Sequence, residues 1–285
     1  MKKFIKIAGV SLFVLLFFLV TIELILTRRI VYMDIFNPRY FVPEQFRQAA
    51  IYPESNKKPI FLMGCSFFQD IFLKNDDLAH TLMSKKTQRN VYNLGVSGGS
   101  PVETLYIIRN AKTDPVLKQV LNNEKEVEHI IYNYMHWHVA SLQYCSHPGS
   151  CVRYKKTKDN SLVQYDNPIL NLLISREIEN TILFKLKAKD FSRDFDLFIV
   201  YMKEIKKAIE ETYGKDTKFT VLVVKDSGKE RWDEVKELGI NVININELLG
   251  FNINTKEYAI SDTNDHPNKK AWGVIVPALI KELNL

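Results

Sequence analysis

The sequence predicts an α/β domain built on a parallel β-sheet with helices on both faces. Short apolar runs typical of buried strands alternate along the chain with longer amphipathic segments typical of helices. A glycine ends the first of these runs, and a glycine-rich loop follows the second. Because this alternation favours parallel strands joined by helices, the predicted architecture is a three-layer αβα sandwich with a central parallel sheet.

The elements follow one another in a regular order. Strands are predicted at residues 59–65, 90–94, 127–135, 218–224 and 241–244, where short apolar runs end at turn residues. Helices are predicted at residues 73–86, 101–112, 192–213, 228–237 and 268–283. Pro101 fits the start of the second helix, since the first helical turn does not need its missing N–H. The polar segment 140–190 is interpreted as an insertion or a cap over the site.

The N-terminus predicts one transmembrane helix. The run from Ile7 to Leu26 carries only one charge, Glu23, and three lysines precede it. About 20 helical residues span a bilayer, and flanking lysines stay in the cytoplasm. We therefore predict an uncleaved signal anchor at 1–29, a stalk at 30–57 and an extracytoplasmic domain at 58–285. A cleaved signal peptide is the alternative, but the run ends without a small-x-small cleavage site.

The composition limits the partners. The chain has 285 residues and a formal net charge of +6, and its lysines are scattered. Without a basic stripe interleaved with aromatic residues, nucleic acid is not an expected partner. Removing the anchor leaves about 255 residues, enough for one domain with a well-buried core. The histidines His136 and His138 lack an identifiable third ligand, so neither a metal nor another cofactor is predicted.

Two cysteines are candidates for a disulfide. Cys145 and Cys151 flank a short Ser-His-Pro-Gly-Ser loop, and an oxidising compartment permits a bridge there. Two unpaired thiols are the alternative. Cys65 is then the odd cysteine, next to Ser66.

Side chains suited to nucleophilic catalysis follow the predicted strands. Ser66 comes just after the first strand, the loop 95–100 follows the second, and His266 precedes the last helix. The carboxyl ends of parallel strands share one edge of a sheet, so these groups are expected to converge. A serine hydroxyl needs a base to take its proton, and the reaction needs N–H donors for the oxyanion. Ser66 and His266 are therefore predicted as nucleophile and base.

In order and placement these motifs resemble the SGNH (GDSL-like) hydrolase superfamily, whose fold is flavodoxin-like. Met63-Gly-Cys-Ser-Phe67 is similar to the first block of the family, and Asn93-Leu-Gly-Val-Ser-Gly98 to the second. Asp262-Thr-Asn-Asp-His-Pro-Asn268 is similar to the last block. The resemblance spans residues 59–283. It implies that the backbones of Ser66 and Gly98 hold the oxyanion.

The resemblance also leaves three departures. Cys65 replaces the usual aspartate of the first block, which makes a cysteine nucleophile the alternative to Ser66. The third block lacks Gly-x-Asn-Asp, so His136 or His138 becomes the candidate for the missing side-chain donor, unless the backbone suffices.

The third departure concerns the carboxylate of the triad, because the usual position holds a threonine. Asp262 is the preferred partner of His266, since the side chain of the adjacent Asp265 is expected to point away. Asp265, or a Ser–His pair without a carboxylate, remains the alternative.

The resemblance implies an acyl-serine intermediate that is resolved by water (an esterase) or by a sugar hydroxyl (an O-acyltransferase). With the anchor, the expected substrate is an O-acetylated or related ester of a cell-envelope glycan, and a transferase would need a membrane acyl-donor protein. The alternative is a catalytically inactive module that binds glycan or a membrane partner. A nucleotide-binding domain is disfavoured because neither Gly-x-x-x-x-Gly-Lys-Ser/Thr nor Gly-x-Gly-x-x-Gly occurs.

Overall fold

The computed structural model describes residues 49–69, 73–96, 99–122, 124–142, 153–165 and 191–285. Strands in these ranges are β1 (Ala49–Ala50), β2 (Ile60–Gly64), β3 (Val91–Gly95), β4 (His129–Met135), β5 (Arg153–Lys156), β6 (Leu162–Tyr165), β7 (Lys218–Lys225), β8 (Asn241–Asn244), β9 (Ala259–Ser261) and β10 (Asn264–Pro267). The α-helices are α1 (Ser66–Gln69), α2 (Ala79–Thr87), α3 (Pro101–Asn110), α4 (Pro115–Val120), α5 (Trp137–Ser141), α6 (Phe191–Tyr213), α7 (Trp232–Glu237), α8 (Ile245–Leu249) and α9 (Lys269–Leu283). A 3₁₀ turn covers Asn75–Asp77.

The central sheet has six strands in the order β1-β3-β2-β4-β7-β8. The five strands that were predicted from apolar runs pair in parallel, and they are β2, β3, β4, β7 and β8. β1 pairs antiparallel with β3, so the sheet is mixed rather than wholly parallel. The predicted α/β class is confirmed, and the prediction of a purely parallel sheet is wrong at this edge.

The antiparallel edge strand comes from the segment predicted as a stalk. Within it, the backbone N–H of Tyr52 donates to Asn90 Oδ1 at 2.9 Å, and Lys57 Nζ donates to the Thr87 carbonyl at 2.8 Å. Residues 49–57 are therefore attached to the folded domain. A strand of only two alanines is too short to show alternation or an apolar run, which is why it was not predicted.

A hydrophobic core lies on each face of the sheet. On β4, Ile130, Tyr132 and Tyr134 face one core, which α3, α4, α6 and α7 complete. Ile131 faces the other core, which α1, α2, α8 and α9 complete. Alternate residues of a strand point to opposite faces, so the apolar side chains of this central strand belong to both cores. Helix layers on both faces are the predicted αβα arrangement.

Part of the segment predicted as an insertion forms a hairpin of β5 and β6. Leu162 is buried in the core beneath α3 and α6. The Arg109 guanidinium donates to the Leu162 carbonyl at 2.9 Å and forms an ion pair with Glu204. Together these contacts fix the hairpin to the helix layer. Cys145 and Cys151 lie outside the described residues, so their pairing stays a prediction.

The predicted anchor at 1–29 and the stalk residues before 49 also lie outside the described residues. In the part of the chain that the structure describes, no helix is both long and apolar enough to cross a bilayer.

Candidate active site

Ser66 is the first residue of α1, which follows directly on the carboxyl end of β2. Its neighbours Cys65, Phe67 and Phe68 are all buried in the core. The ring of Phe67 packs edge-on to Trp272 with centroids 5.1 Å apart, and Phe68 stacks on the same indole at 6.0 Å. These contacts fix the turn around Ser66. The Ser66 side chain itself is only partly buried.

The strand end before Ser66 requires glycine. Gly64 has a φ of +119°, which L side chains rarely adopt, and a Cβ there would overlap Asn133 Oδ1. The Gly64 carbonyl accepts from the backbone N–H of Val96 at 2.9 Å, and a Cβ on Gly99 would collide with that same carbonyl. Val96 and Gly99, which follow β3, thus pack closely against the turn that carries Ser66, as expected of strand ends that meet at one edge of the sheet.

Replacing Gly64 by alanine is expected to lower the free energy of unfolding by about 3–5 kcal/mol, since strain and overlap add at one position. Gly273 is the matched control. It lies in α9 with nothing within 4 Å of its Cβ position. Gly273→Ala should raise stability by about 0.5–1 kcal/mol, as expected for a helical glycine. Urea unfolding followed by tryptophan fluorescence measures both. Equal stabilities for the two variants would contradict the close packing.

His266 reaches Ser66 from the opposite end of the chain. It lies in β10, which pairs antiparallel with β9. Asn268 closes this hairpin onto α9. Its Oδ1 accepts from the Ala271 N–H at 3.0 Å, and its Nδ2 donates to the Ala259 carbonyl at 2.9 Å. The result is a separation of 2.8 Å between His266 Nε2 and Ser66 Oγ. This is the hydrogen-bond reach that a nucleophile and its base require.

The other ring nitrogen of His266 meets Asn264, not an aspartate. His266 Nδ1 lies 2.6 Å from Asn264 Oδ1. Asp262, the preferred partner by sequence, is exposed and forms an ion pair with Lys256 at 3.1 Å. Asp265 is also exposed. The predictions that placed either aspartate on the imidazole are corrected by this geometry.

The sequence held a signal for Asn264. Side chains at i and i+2 of a strand share a face, whereas adjacent side chains point to opposite faces. Asn264 is two residues before His266 in β10, so it shares the face of the imidazole, and Asp265 does not. Asp262 precedes β10, in the turn from β9. A strand over 264–267 was not predicted, and without it the spacing had no structural meaning.

Burial lowers the pKa of the predicted base, His266. Desolvation of the half-buried imidazole lowers the pKa of His266 below its ordinary value of 6.5, and the charge of Asp265 partly opposes this by raising it. The ring is therefore mostly neutral at pH 7. A neutral ring with an unprotonated Nε2 is the form that accepts a proton from a serine hydroxyl.

Cys65 is a buried thiol. Desolvation raises the pKa of Cys65 from 9.0 to about 11, which disfavours the reactive thiolate. Its Sγ accepts from Asn133 Nδ2 at 3.0 Å, and its backbone N–H donates to Asn133 Oδ1 at 3.0 Å. These contacts favour Ser66 over Cys65 as the nucleophile. They also hold the fully buried Asn133 amide beneath the turn, where it is not exposed to solvent.

The two histidines after β4 differ in environment. His138 is fully buried, with Nδ1 2.6 Å from the Tyr132 hydroxyl, and desolvation lowers its pKa to about 3. It is a core residue, and the prediction of His138 as an oxyanion donor is corrected. His136 is half-buried, and its Nδ1 has no hydrogen-bond partner among the described residues. A role for His136 stays a prediction, as does that of Gly98, which is outside the described residues.

No set of three or more His, Cys, Asp or Glu side chains within the described ranges is arranged to hold a metal ion.

No protein-family model matches the chain, and no curated protein matches it. Among solved structures it is similar to a carbohydrate esterase family 2 enzyme with a carbohydrate-binding domain from Myceliophthora fergusii, at 11% identity and a TM-score of 0.45, covering 81% of this chain and 68% of that one. It is also similar to an acetyl xylan esterase from the rumen bacterium Butyrivibrio proteoclasticus, at 10% identity and a TM-score of 0.47, covering 80% and 63%. A psychrotrophic esterase from Pseudoalteromonas sp. gives 10% identity and a TM-score of 0.41, covering 80% and 97%.

Proposed function

We propose that the chain is a serine-dependent acyl-ester enzyme of the SGNH type. The observation that carries this proposal is the 2.8 Å contact between Ser66 Oγ and His266 Nε2, with the other ring nitrogen held by Asn264. The two ends of this contact are 200 residues apart in sequence. A nucleophile, a base and an orienting group in line form the arrangement that serine acyl transfer requires.

The reaction follows from these positions. His266 Nε2 takes the Ser66 proton as Oγ forms a bond to the ester carbonyl carbon. The tetrahedral intermediate then collapses, its bond to the alcohol oxygen breaks, and His266 returns the proton to the leaving alcohol. An acyl-serine remains. In the second half, His266 activates water or a sugar hydroxyl, which takes the acyl group and restores Ser66.

The oxyanion needs donors throughout these steps. Ser66 opens α1, and the first N–H groups of a helix have no partner within the helix. We assign the Ser66 N–H as one donor. Gly98 N–H is the second by the resemblance of its loop to the second block of the family. The Asn133 amide is already hydrogen-bonded to Cys65, so backbone N–H groups rather than a side-chain amide stabilise the oxyanion in this proposal.

The proposed substrate is an O-acetyl or related ester on an extracytoplasmic envelope glycan. Support comes from the sequence: the apolar run Ile7–Leu26 with lysines before it favours a signal anchor, cytoplasmic N-terminus and external domain. Glycans are ester-bearing polymers available there. If a sugar hydroxyl is the acceptor, a membrane protein has to supply the acyl group, because acyl-CoA is cytoplasmic.

A catalytically inactive binding module is the second candidate. The buried position of Asn133, which removes a side-chain oxyanion donor, and the neutral amide of Asn264 on His266 Nδ1 favour it. The aligned Ser66–His266 contact opposes it, since binding alone does not require a hydroxyl 2.8 Å from an imidazole nitrogen.

A serine-reactive fluorophosphonate distinguishes the two. We expect the full-length chain to gain one covalent phosphonyl group, located on Ser66 by peptide mass spectrometry, and to hydrolyse an aryl acetate. His266→Gln is the control, because it keeps Ser66 but removes its base and should slow labelling at least about 100-fold. A native chain that is neither labelled nor hydrolytic contradicts the catalytic proposal and favours the binding module.

A further inference from the structure

We propose that Asn264 is the positioning residue of the site: its side-chain oxygen accepts the His266 Nδ1–H hydrogen bond and holds the imidazole in the tautomer whose unprotonated Nε2 faces Ser66. The inference rests on the proposed serine chemistry, and it replaces the expected carboxylate by a neutral amide.

Two contacts fix the orientation of the amide. Asn264 Oδ1 lies 2.6 Å from His266 Nδ1 and 3.1 Å from the backbone nitrogen of His266. A backbone N–H only donates, so the atom facing it has to be the amide oxygen and not the NH₂ group. The same oxygen then requires a donor at Nδ1. In a neutral imidazole the proton on Nδ1 leaves Nε2 unprotonated, which is what a general base needs.

The hairpin holds Asn264 in place. Asn264 pairs with Ser261 and Pro267 pairs with Ala259, with a shift of register between these two pairs. Such irregularities re-aim side chains on a strand, and they are common next to active sites. Pro267 is buried, and Asn268 is tied to the backbone of β9 and its approach. Asn264 is therefore set by backbone pairing on one side and by the packed start of α9 on the other.

The charged groups that the structure describes near His266 are paired elsewhere or exposed. The elements packed against β10 carry Asp265 in the strand itself, Asp262 paired with Lys256, Lys269 paired with Asp77, and Lys270 paired with Glu257. Of these, Asp265 acts on the pKa of His266, raising it, while burial lowers it more strongly. A neutral Asn264 adds no negative charge, so it does not oppose the lowering of the His266 pKa by burial.

Two substitutions at Asn264 separate positioning from charge. Asn264→Ala removes the acceptor and should lower kcat for an aryl acetate by about 10²- to 10⁴-fold with KM changed less than about threefold, since the tautomer is no longer fixed. Asn264→Asp keeps the acceptor and should retain kcat within about tenfold at neutral pH. Its added charge should move the acidic limb of the kcat/KM profile up by about one pH unit.

Asp262→Asn and Asp265→Asn are the matched controls. Each removes a nearby carboxylate that does not contact the imidazole, so kcat should stay within about threefold of the native value. Asp265→Asn should move the acidic limb of the rate profile slightly downward, because Asp265 raises the pKa of His266. If Asp262→Asn costs as much as Asn264→Ala, or if Asn264→Ala is fully active, the positioning role is wrong.

Nitrogen-15 NMR of the imidazole keeps this test independent of turnover. The native chain should show His266 with the proton on Nδ1 at pH 7.5, and Asn264→Ala should shift the population toward Nε2–H. A native ring protonated on Nε2 overturns the inference even where Ser66 is labelled by phosphonate. Unlabelled Ser66 with an Nδ1–H ring overturns the proposed function alone.

Discussion

Replacing Ser66 by alanine is expected to lower kcat for an aryl acetate by about 10⁴- to 10⁶-fold, which is the loss seen when a serine nucleophile is removed. The expectation rests on the single 2.8 Å contact between Ser66 Oγ and His266 Nε2. Without Oγ no acyl-serine forms, and the remaining oxyanion donors can only assist direct attack by water. Initial rates under saturating substrate measure the effect.

The pair should also behave as one unit. His266→Ala should cost nearly as much as Ser66→Ala, and the double variant should be no slower than either single variant. Additive losses would mean that the two side chains act independently, against the geometry.

Cys65→Ala is the matched control in the same turn. It removes a buried thiol whose pKa is raised to about 11, and the loss should be confined to packing and to the Asn133 contact. We expect kcat to fall by less than about tenfold, in line with the loss of one neutral hydrogen bond. If Cys65→Ala is the inactive variant and Ser66→Ala the active one, the nucleophile is Cys65.

The sequence located the elements that bury continuous apolar surface. Strands buried on both faces appear as unbroken apolar runs, which is why Ile60–Gly64 and Lys218–Lys225 were found almost to the residue. The two-residue β1 and the hairpin at 153–165 lack such a pattern. They are held by side chains distant in sequence, as when Arg109 binds the Leu162 carbonyl.

The contact between Ser66 and His266 was predicted from the sequence, but the partner of the other His266 nitrogen was not. Ser66 and His266 follow from motif and strand order, but the partner of His266 depends on which residues share its face in β10. Likewise the commitment of Asn133 to Cys65 depends on the register of β2 against β4, where Met63 pairs with Tyr132. Register is a property of strand pairing, and it cannot be read from a single sequence.

Acid should destabilise the protein well before its carboxylates are protonated. Desolvation lowers the pKa of three buried histidines, to about 4 for His80, about 4 for His129 and about 3 for His138. The ordinary value of 6.5 applies to the unfolded chain. Above pH 6.5 all three are neutral in both states, and the full stability is present. As the pH falls toward 4, only the unfolded chain takes up these protons, so folding loses free energy.

The size of the loss follows from proton uptake. Each histidine contributes a slope of about 1.4 kcal/mol per pH unit where it is charged in the unfolded chain only, so three give about 4 kcal/mol per unit near pH 5. Over the whole window the sum approaches about 10 kcal/mol, comparable with the total stability of an ordinary domain. Urea unfolding at pH 7.5, 6, 5.5 and 5, followed by tryptophan fluorescence, measures the slope.

His80→Leu isolates one contribution. His80 is buried in α2, and its Nδ1 has no hydrogen-bond partner among the described residues. The variant should reduce the slope near pH 5 by about 1.4 kcal/mol per unit, whatever its stability at pH 7.5. Ser84→Ala is the control one turn further along α2. It removes the 2.8 Å bond from Ser84 Oγ to the Arg89 carbonyl, so it should cost about 1 kcal/mol at every pH and leave the slope unchanged.

The His80→Leu variant also separates two causes of acid inactivation. Protonation of His266 abolishes the base, and unfolding abolishes the whole site, and both losses fall below pH 6.5 because burial lowers the pKa of His266 as well. His80→Leu should move the unfolding transition to lower pH without touching His266. If the acidic limb of the pH–rate profile moves in His80→Leu, that limb reports unfolding. If it stays fixed in His80→Leu but shifts upward in Asn264→Asp, it reports protonation of the catalytic base. If the slope of native stability between pH 6 and 5 is flat, the buried histidines are not held neutral as this fold requires.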